Sequence, residues 1–263
     1  MPFPNFAEKH AQEALFTASD FLEYLHQSGL LPEIPAPDAA VLVYQPEVLS
    51  ALLGERRPPD LRLFAAVHVV ERDGRRAAVV SGFGVGAPAA ALVMEHLIAW
   101  GVRRFLSVGI AGGLQPGMAV GDVVVCTGAV RDEGVSHHYA PDARTAVPSY
   151  ALTAELEAVL RQRGVRHASG ESWTVDAPYR ETVAEARHYQ GQGVLSVEME
   201  AAALFTVAAQ RGVDVAAAFA MSDSLAEARW NPRFFEPDLQ AALARLAAVA
   251  LECALRGPRG GGD

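Results

Sequence analysis

The chain of 263 residues is 51% hydrophobic and 20% charged, a balance that fills one sizeable core without requiring two. A formal net charge of -9 with no basic run argues against a nucleic-acid backbone as partner, and two well-separated cysteines, Cys126 and Cys253, suggest small buried hydrophobes rather than a disulfide framework or a metal site. No apolar stretch is long enough to span a bilayer and the opening MPFPNFAEKH lacks the layout of a signal peptide, so a cytoplasmic protein acting on a small molecule is expected.

Residues 1–38 read as an N-terminal helical arm, in which Ser19 caps a helix carrying Phe21, Leu22, Tyr24 and Leu25, and Gly29 stops it. Residues 39–256 then alternate strands with helices. Ala40–Tyr44 is a strand and Glu47–Leu53 a short helix; Leu63–Val70 and Ala77–Ser81 form a pair of strands joined around Asp73-Gly74, a hairpin dipeptide. Pro88 opens a long apolar helix to Trp100, Gly101 ends it, and Phe105–Val108 is a buried strand. Strand Val123–Thr127 and helix Thr153–Arg163 follow. Next come strand His167–Val175, a helix over Arg180–Tyr189, strand Val194–Val197 and a helix over Glu198–Gln210. Strand Val213–Met221 and a final helix over Pro237–Leu255 complete the pattern, and the closing GPRGGGD, residues 257–263, reads as a disordered tail. The alternation predicts a single three-layer α/β/α domain with a largely parallel or mixed sheet.

Three glycine-rich turns are expected after strands: 82–88, 109–113 and 121–122. At the C-terminal ends of strands such turns let backbone approach a ligand, although each taken singly fits a plain strand-to-helix connection. The first is no dinucleotide site, because Pro88 stands where the third glycine belongs. The segment Ser196–Phe205, SVEMEAAALF, says more. Favourable charge at a helix N-terminus accounts for one glutamate, but not for a carboxylate pair beside a helix that is otherwise apolar. A carboxylate there can accept hydrogen bonds from a sugar diol, and a methionine can pack on the apolar sugar face. Downstream, the strand ending at Met221 delivers Asp223 to its C-terminal end, either as a surface turn cap or as a group that hydrogen-bonds a leaving base.

The runs FGVGAP, FLSVGIAGGLQPGMAVGDVVV and AVRDEG, with SVEMEAAALF and MSD, resemble the uridine and purine nucleoside phosphorylase superfamily, which also contains nucleosidases. The resemblance extends from about Ala40 to about Asp223 and leans towards the uridine-cleaving branch. It implies that Glu200 binds the ribose hydroxyls, that Met199 packs on the sugar, that Glu198 is its partner, and that Asp223 assists the departing base. Gly84 and Gly109 match glycines of loops lining the nucleoside and nucleophile pockets. Arg180 matches an arginine that reads a pyrimidine, and His138, in a loop after Arg131, is a candidate for the pocket wall. The resemblance further implies nucleoside and phosphate as substrates, no metal or organic cofactor, and a homo-oligomer from dimer to hexamer with shared active sites.

Departures from the family pattern bear on phosphate. Ser107 stands where bacterial phosphorylases carry an arginine, Ile110 replaces a hydroxyl residue, and Tyr44-Gln45-Pro46-Glu47 replaces an early turn with glycine and arginine. Serine cannot supply the bidentate charge-assisted bonds of arginine. Arg62, aligned with an arginine donated by a neighbouring subunit, and Arg180 are the candidates to replace that charge. The expected activity is phosphorolysis of a uridine-like or purine ribonucleoside to free base and ribose 1-phosphate. Two alternatives stay open: a nucleosidase with Glu47 activating water, and a non-catalytic nucleoside-binding protein.

Overall fold

The computed structural model describes residues 4, 6, 8–31, 33–54, 58–227 and 230–256; the tail expected at 257–263 lies outside them. In chain order the helices are α1 (Ala18–Gln27), α2 (Pro46–Leu53), α3 (Ala87–Trp100), α4 (Ser136–Tyr139), α5 (Tyr150–Gln162), α6 (Val183–Gly191), α7 (Ala201–Arg211) and α8 (Pro237–Arg256). The strands are β1 (Ala39–Val43), β2 (Leu61–Arg62), β3 (Ala66–Arg72), β4 (Arg75–Ser81), β5 (Arg104–Gly113) and β6 (Val123–Asp132), followed by β7 (Thr145–Ala146), β8 (His167–Val175), β9 (Ser196–Glu198), β10 (Asp214–Ser224) and β11 (Asn231–Pro232).

These strands form one mixed sheet, so the expected α/β class and three-layer arrangement hold. β1 is parallel to β4 and β5, and β10 is parallel to β5. β10 also pairs antiparallel with β6, which continues through β8 and β9 back to β5. Five strands therefore close on themselves, and β1, β4, β3 and β2 extend the sheet outward. All five residues of β1 are buried, as expected of a strand covered on both faces. Alternate residues face opposite layers: Ala40 and Leu42 share a core with Met94 and Leu97 of α3 and Phe205 of α7. Val41 and Val43 face Leu156 of α5 and Leu246 of α8.

The hairpin at Asp73-Gly74 joins β3 to β4, and both residues have positive φ, 52° and 72°, as a turn of the mirror-image type I class requires. Pro88 lies in the first turn of α3. Both cysteines are buried and free. Among the described residues no helix is long and apolar enough to cross a membrane.

Several boundaries differ from expectation for physical reasons. The first helix is capped by Thr17, not Ser19, through a capping box with Asp20. Within the N-terminal helical arm, Phe21 packs on Phe64 and His96 with ring centroids 5.7 and 5.2 Å apart. The glycine run at 109–113 is the second half of β5, not a turn, since pairing with β10 and β9 keeps it extended. Arg180 ends a short 3-10 turn rather than opening a helix, and α6 starts behind Thr182, which forms a capping box with Glu185. Glu198 closes β9, and α7 begins only at Ala201 with Glu200 at its cap position.

Candidate active site

At the closed circuit of strands lies a cavity of about 620 Å³, whose wall includes Glu198, Met199, Glu200, Asp223 and Gly109. Of the residues singled out in the sequence, these five are brought together. Gly84 is not on the wall, although its neighbour Val85 is. Arg180 is exposed and off the wall, whereas Pro178, Tyr179 and Glu181 around it line the cavity. Arg62 is exposed on β2, and Glu47 is exposed at the start of α2. His138 is elsewhere: its ring approaches Lys9 Nζ at 2.9 Å and lines a separate cavity between the N-terminal segment and α3.

The two glutamates of the VEME segment do different work. The Glu198 carboxylate accepts from Thr174 Oγ1 at 2.5 Å and from the backbone N–H groups of Glu200 and Ala201 at 2.8 and 2.7 Å. Thr174 Oγ1 in turn accepts from the Ala202 N–H at 3.0 Å. Glu198 thus caps α7, satisfying donors that the helix start leaves without partners. Glu200 accepts from the Gly86 N–H at 2.5 Å, and the Met199 backbone N–H also acts on it. Its remaining acceptor capacity faces the cavity. Burial pushes the Glu200 carboxyl up, and the charge of Glu198 adds to it.

Across the cavity, Asp223 sits past an irregularity in the pairing of β10 with β5. Ser222 Oγ donates to its Oδ1 at 2.7 Å and the indole N–H of Trp230 to its Oδ2 at 3.0 Å. Glu181, a residue the sequence reading passed over, shares this end of the wall with Trp230 and Phe234. Burial and the nearby Asp223 push its carboxyl up to about 7.

Backbone approach at β5 shapes this end. A Cβ on Gly112 would stand 2.6 Å from Leu225 Cδ1, 3.1 Å from Val197 Cγ1 and 3.3 Å from Asp223 Oδ2. Gly112→Ala is therefore expected to cost about 1–3 kcal/mol through forced repacking. Thermal unfolding would register that as a drop of several degrees, and an unchanged melting temperature would mean that Leu225 yields freely. At the other end, Gly109 makes room for the ring of Tyr44, whose hydroxyl lies 2.9 Å from Ser107 Oγ. These two hydroxyl groups occupy the region where Ser107 departs from the arginine of the family pattern, as expected from the sequence.

The electrostatics are one-sided. Glu181, Glu198, Glu200 and Asp223 line the cavity, and no Lys, Arg or His is on its wall among the described residues. Nor do the described residues contain a cluster of His, Cys, Asp and Glu able to hold a metal ion. Chemically, the arrangement pairs a buried diol acceptor, Glu200, and a thioether with two carboxyls and aromatic rings opposite. That suits a ligand with a hydroxylated ring at one end and a planar, hydrogen-donating ring at the other.

A sequence model of the phosphorylase superfamily matches residues 51–254. The chain is 33% identical over 157 residues to a uridine phosphorylase of Salmonella typhimurium, covering 54% of this chain and 62% of that protein. It is 37% identical over 130 residues to a guanosine phosphorylase of Halorubrum lacusprofundi, covering 49% and 54%. The matches thus span less than two thirds of these relatives' length. In structure it is similar to a uridine phosphorylase of Vibrio fischeri, with TM-score 0.72, 24% identity and coverage of 84% of this chain and 93% of that one. A Plasmodium knowlesi homologue of the P. falciparum PNP gives TM-score 0.71 at 26% identity, covering 84% and 89%.

Proposed function

Because the chain belongs to the phosphorylase superfamily, we propose that it is a pentosyltransferase that cleaves the N-glycosidic bond of a ribonucleoside with phosphate, releasing free base and ribose 1-phosphate. The observation that carries this reading is the pairing, across one cavity, of the buried Glu200 carboxylate with Asp223. Glu200 accepts hydrogen bonds from the ribose hydroxyls while Met199 packs on the ring. As the bond from C1′ to the base nitrogen lengthens, positive charge grows on the sugar, and the carboxylates of the wall stabilise it. Glu198 acts through Glu200, holding the backbone of the turn that aims it. Heterolysis of a C–N bond needs no electron carrier, so no cofactor enters the proposal.

A purine fits the base end better than uracil. Asp223 and Glu181 are acceptors when ionised, and among the described residues no Lys, Arg or His, Arg180 included, lines the cavity to meet the two carbonyl oxygens of uracil. The imino and amino hydrogens of a purine find partners there.

Phosphate needs charge that the described wall lacks, and the proposal places it in a cytoplasmic homo-oligomer in which Arg62 of one protomer faces the neighbour's site. The exposure of Arg62 on an outer strand leaves it available for that role. Arg62→Gln is expected to raise the KM for phosphate about tenfold or more, the value of one lost charge-assisted bond, with the KM for nucleoside little changed. An unaltered phosphate KM would remove Arg62 from the site.

The absence of Lys, Arg and His from the wall among the described residues favours a second reading, hydrolysis, in which water takes the place of phosphate. Product analysis separates the two. Ribose 1-phosphate formed only in the presence of phosphate supports the phosphorylase; free ribose formed equally with and without phosphate supports the nucleosidase. Absence of turnover on every ribonucleoside would leave a binding protein.

A further inference from the structure

Two segments distant in the chain build the base end of the cavity: residues 178–186, which run through the 3-10 turn into α6, and residues 225–234, which follow β10. Their polar side-chain atoms are largely spent on the protein itself. Thr182 Oγ1 donates to the Glu185 carboxylate at 2.6 Å and accepts from the Glu185 N–H at 3.2 Å, and the indole N–H of Trp230 is given to Asp223. Apart from the carboxyls of Glu181 and Asp223, these segments line the cavity mostly with methyl groups and rings: Val183, Ala186, Leu225, Trp230 and Phe234.

That apolar surface starts beside the group that meets the base and runs out to solvent. A Cβ on Gly112 would touch both Leu225 and Asp223, so the two side chains adjoin, and Ala186 and Leu225 belong to one cluster with Val197. Further out, Val183 is 49% exposed, Trp230 61% and Tyr179 98%, all three on the cavity wall. Exposed apolar surface continuous with a binding cavity marks a part of the ligand that is itself apolar.

We propose that the ribonucleoside taken here is a purine whose exocyclic amine carries an apolar substituent, a short alkyl or benzyl group, lodged against Val183, Trp230 and Phe234. This rests on the reading of the cavity as a nucleoside-cleaving site and names its substrate class. A secondary exocyclic amine keeps one N–H for the carboxyls of Glu181 and Asp223, while its substituent leaves the ring on the side away from the sugar. An unsubstituted purine ends at those carboxyls and leaves the outer surface in water. Trp230 is oriented before the ligand arrives, by its bond to Asp223 and by Phe234, whose ring centroid lies 6.2 Å away at 53°. The substituent therefore meets a ring already in place, and little ordering offsets the gain from burial.

The test measures kcat/KM for release of free base from adenosine, N6-pentyladenosine, N6-benzyladenosine and uridine, in saturating phosphate. Each methylene taken fully out of water is worth about fourfold, so wild type should prefer the pentyl and benzyl ribosides to adenosine by about 30-fold, the value of two to three buried methylenes, mainly through KM. In Val183→Asp and in Phe234→Ala the ratio of substituted to unsubstituted substrate should fall to within about threefold of one. Val183 is the first residue of α6, where an acidic side chain suits the helix end, so the first variant keeps its fold. Adenosine cleaved as well as the substituted ribosides, or a preference unchanged in both variants, would overturn the proposal while leaving the nucleoside-cleaving reading in place. So would cleavage of uridine without cleavage of any purine riboside. Wild-type protein inert towards all four would overturn the nucleoside-cleaving reading, and the proposal with it.

Discussion

Replacing Glu200 with alanine is expected to slow nucleoside cleavage by about 10³-fold. Its carboxylate is buried, held by the backbone N–H groups of Gly86 and Met199, and lines the cavity. A hydrogen bond to an ionised acceptor contributes about 1.5–3 kcal/mol, so two from a ribose diol are worth about 3–6 kcal/mol, or roughly two to four decades in kcat/KM. The loss should be confined to ribonucleosides whose hydroxyls contact Glu200, and 2′,3′-dideoxy analogues should be poor substrates for wild type and variant alike. Steady-state kinetics on the four substrate and enzyme combinations would check this; an additive pattern, with each change costing the same in the presence of the other, would mean that Glu200 does not touch the diol.

The same residue predicts a trade of stability for function. A carboxyl whose native pKa is raised contributes its full stability below the ordinary carboxylate range and loses it as pH climbs towards the raised value, because the ionised form is then buried. Glu200→Gln should therefore melt with wild type near pH 5 and higher than wild type near pH 8, by a few degrees.

The second large effect is at Glu198. Truncation to alanine strands three buried donors: Thr174 Oγ1 and the N–H groups of Glu200 and Ala201. Each stranded donor costs about 1–3 kcal/mol, so three cost about 3–9 kcal/mol, a large share of the roughly 5–15 kcal/mol that holds a domain folded. Urea unfolding should show a strongly lowered midpoint, with activity lost in parallel because the turn carrying Glu200 is no longer pinned. A Glu198→Ala protein as stable as wild type but inactive would contradict the capping role and place Glu198 on the substrate instead.

How much of this the sequence carried depends on the kind of signal. VEME stood out because two carboxylates beside an apolar helix break the usual pattern of buried sequence, and both do line the cavity. Their division of labour was not readable, because the partner that makes Glu198 a cap, Thr174, lies on β8 and meets it only through the pairing of β8 with β9. The glycine run at 109–113 carries the local signature of a turn, yet Gly112 is needed for the close approach of Val197, Leu225 and Asp223, contacts made by residues distant in the chain. Arg180 drew attention as a cation in a promising segment, and the acid beside it, Glu181, did not. No local signal was available: β8 runs antiparallel to β10, and the segment after β8 comes near Asp223 only through the pairing of β8 with β9 and of β9 with β5. His138 could not be placed, since its neighbour Lys9 comes from the N-terminal segment. The layer arrangement, in contrast, follows from β1 and the helices α3, α7 and α8, whose patterns of burial are written locally.

The central claim is that this cavity holds a ribonucleoside by its sugar and breaks the bond to its base with phosphate. The most direct test is the rate at which purified protein releases free base from a purine ribonucleoside in saturating phosphate, measured beside Glu200→Ala. The account predicts steady release by wild type, with ribose 1-phosphate formed in equal amount, and a fall of about 10³-fold in the variant. Equal rates in the two proteins, or no release by wild type, would contradict it.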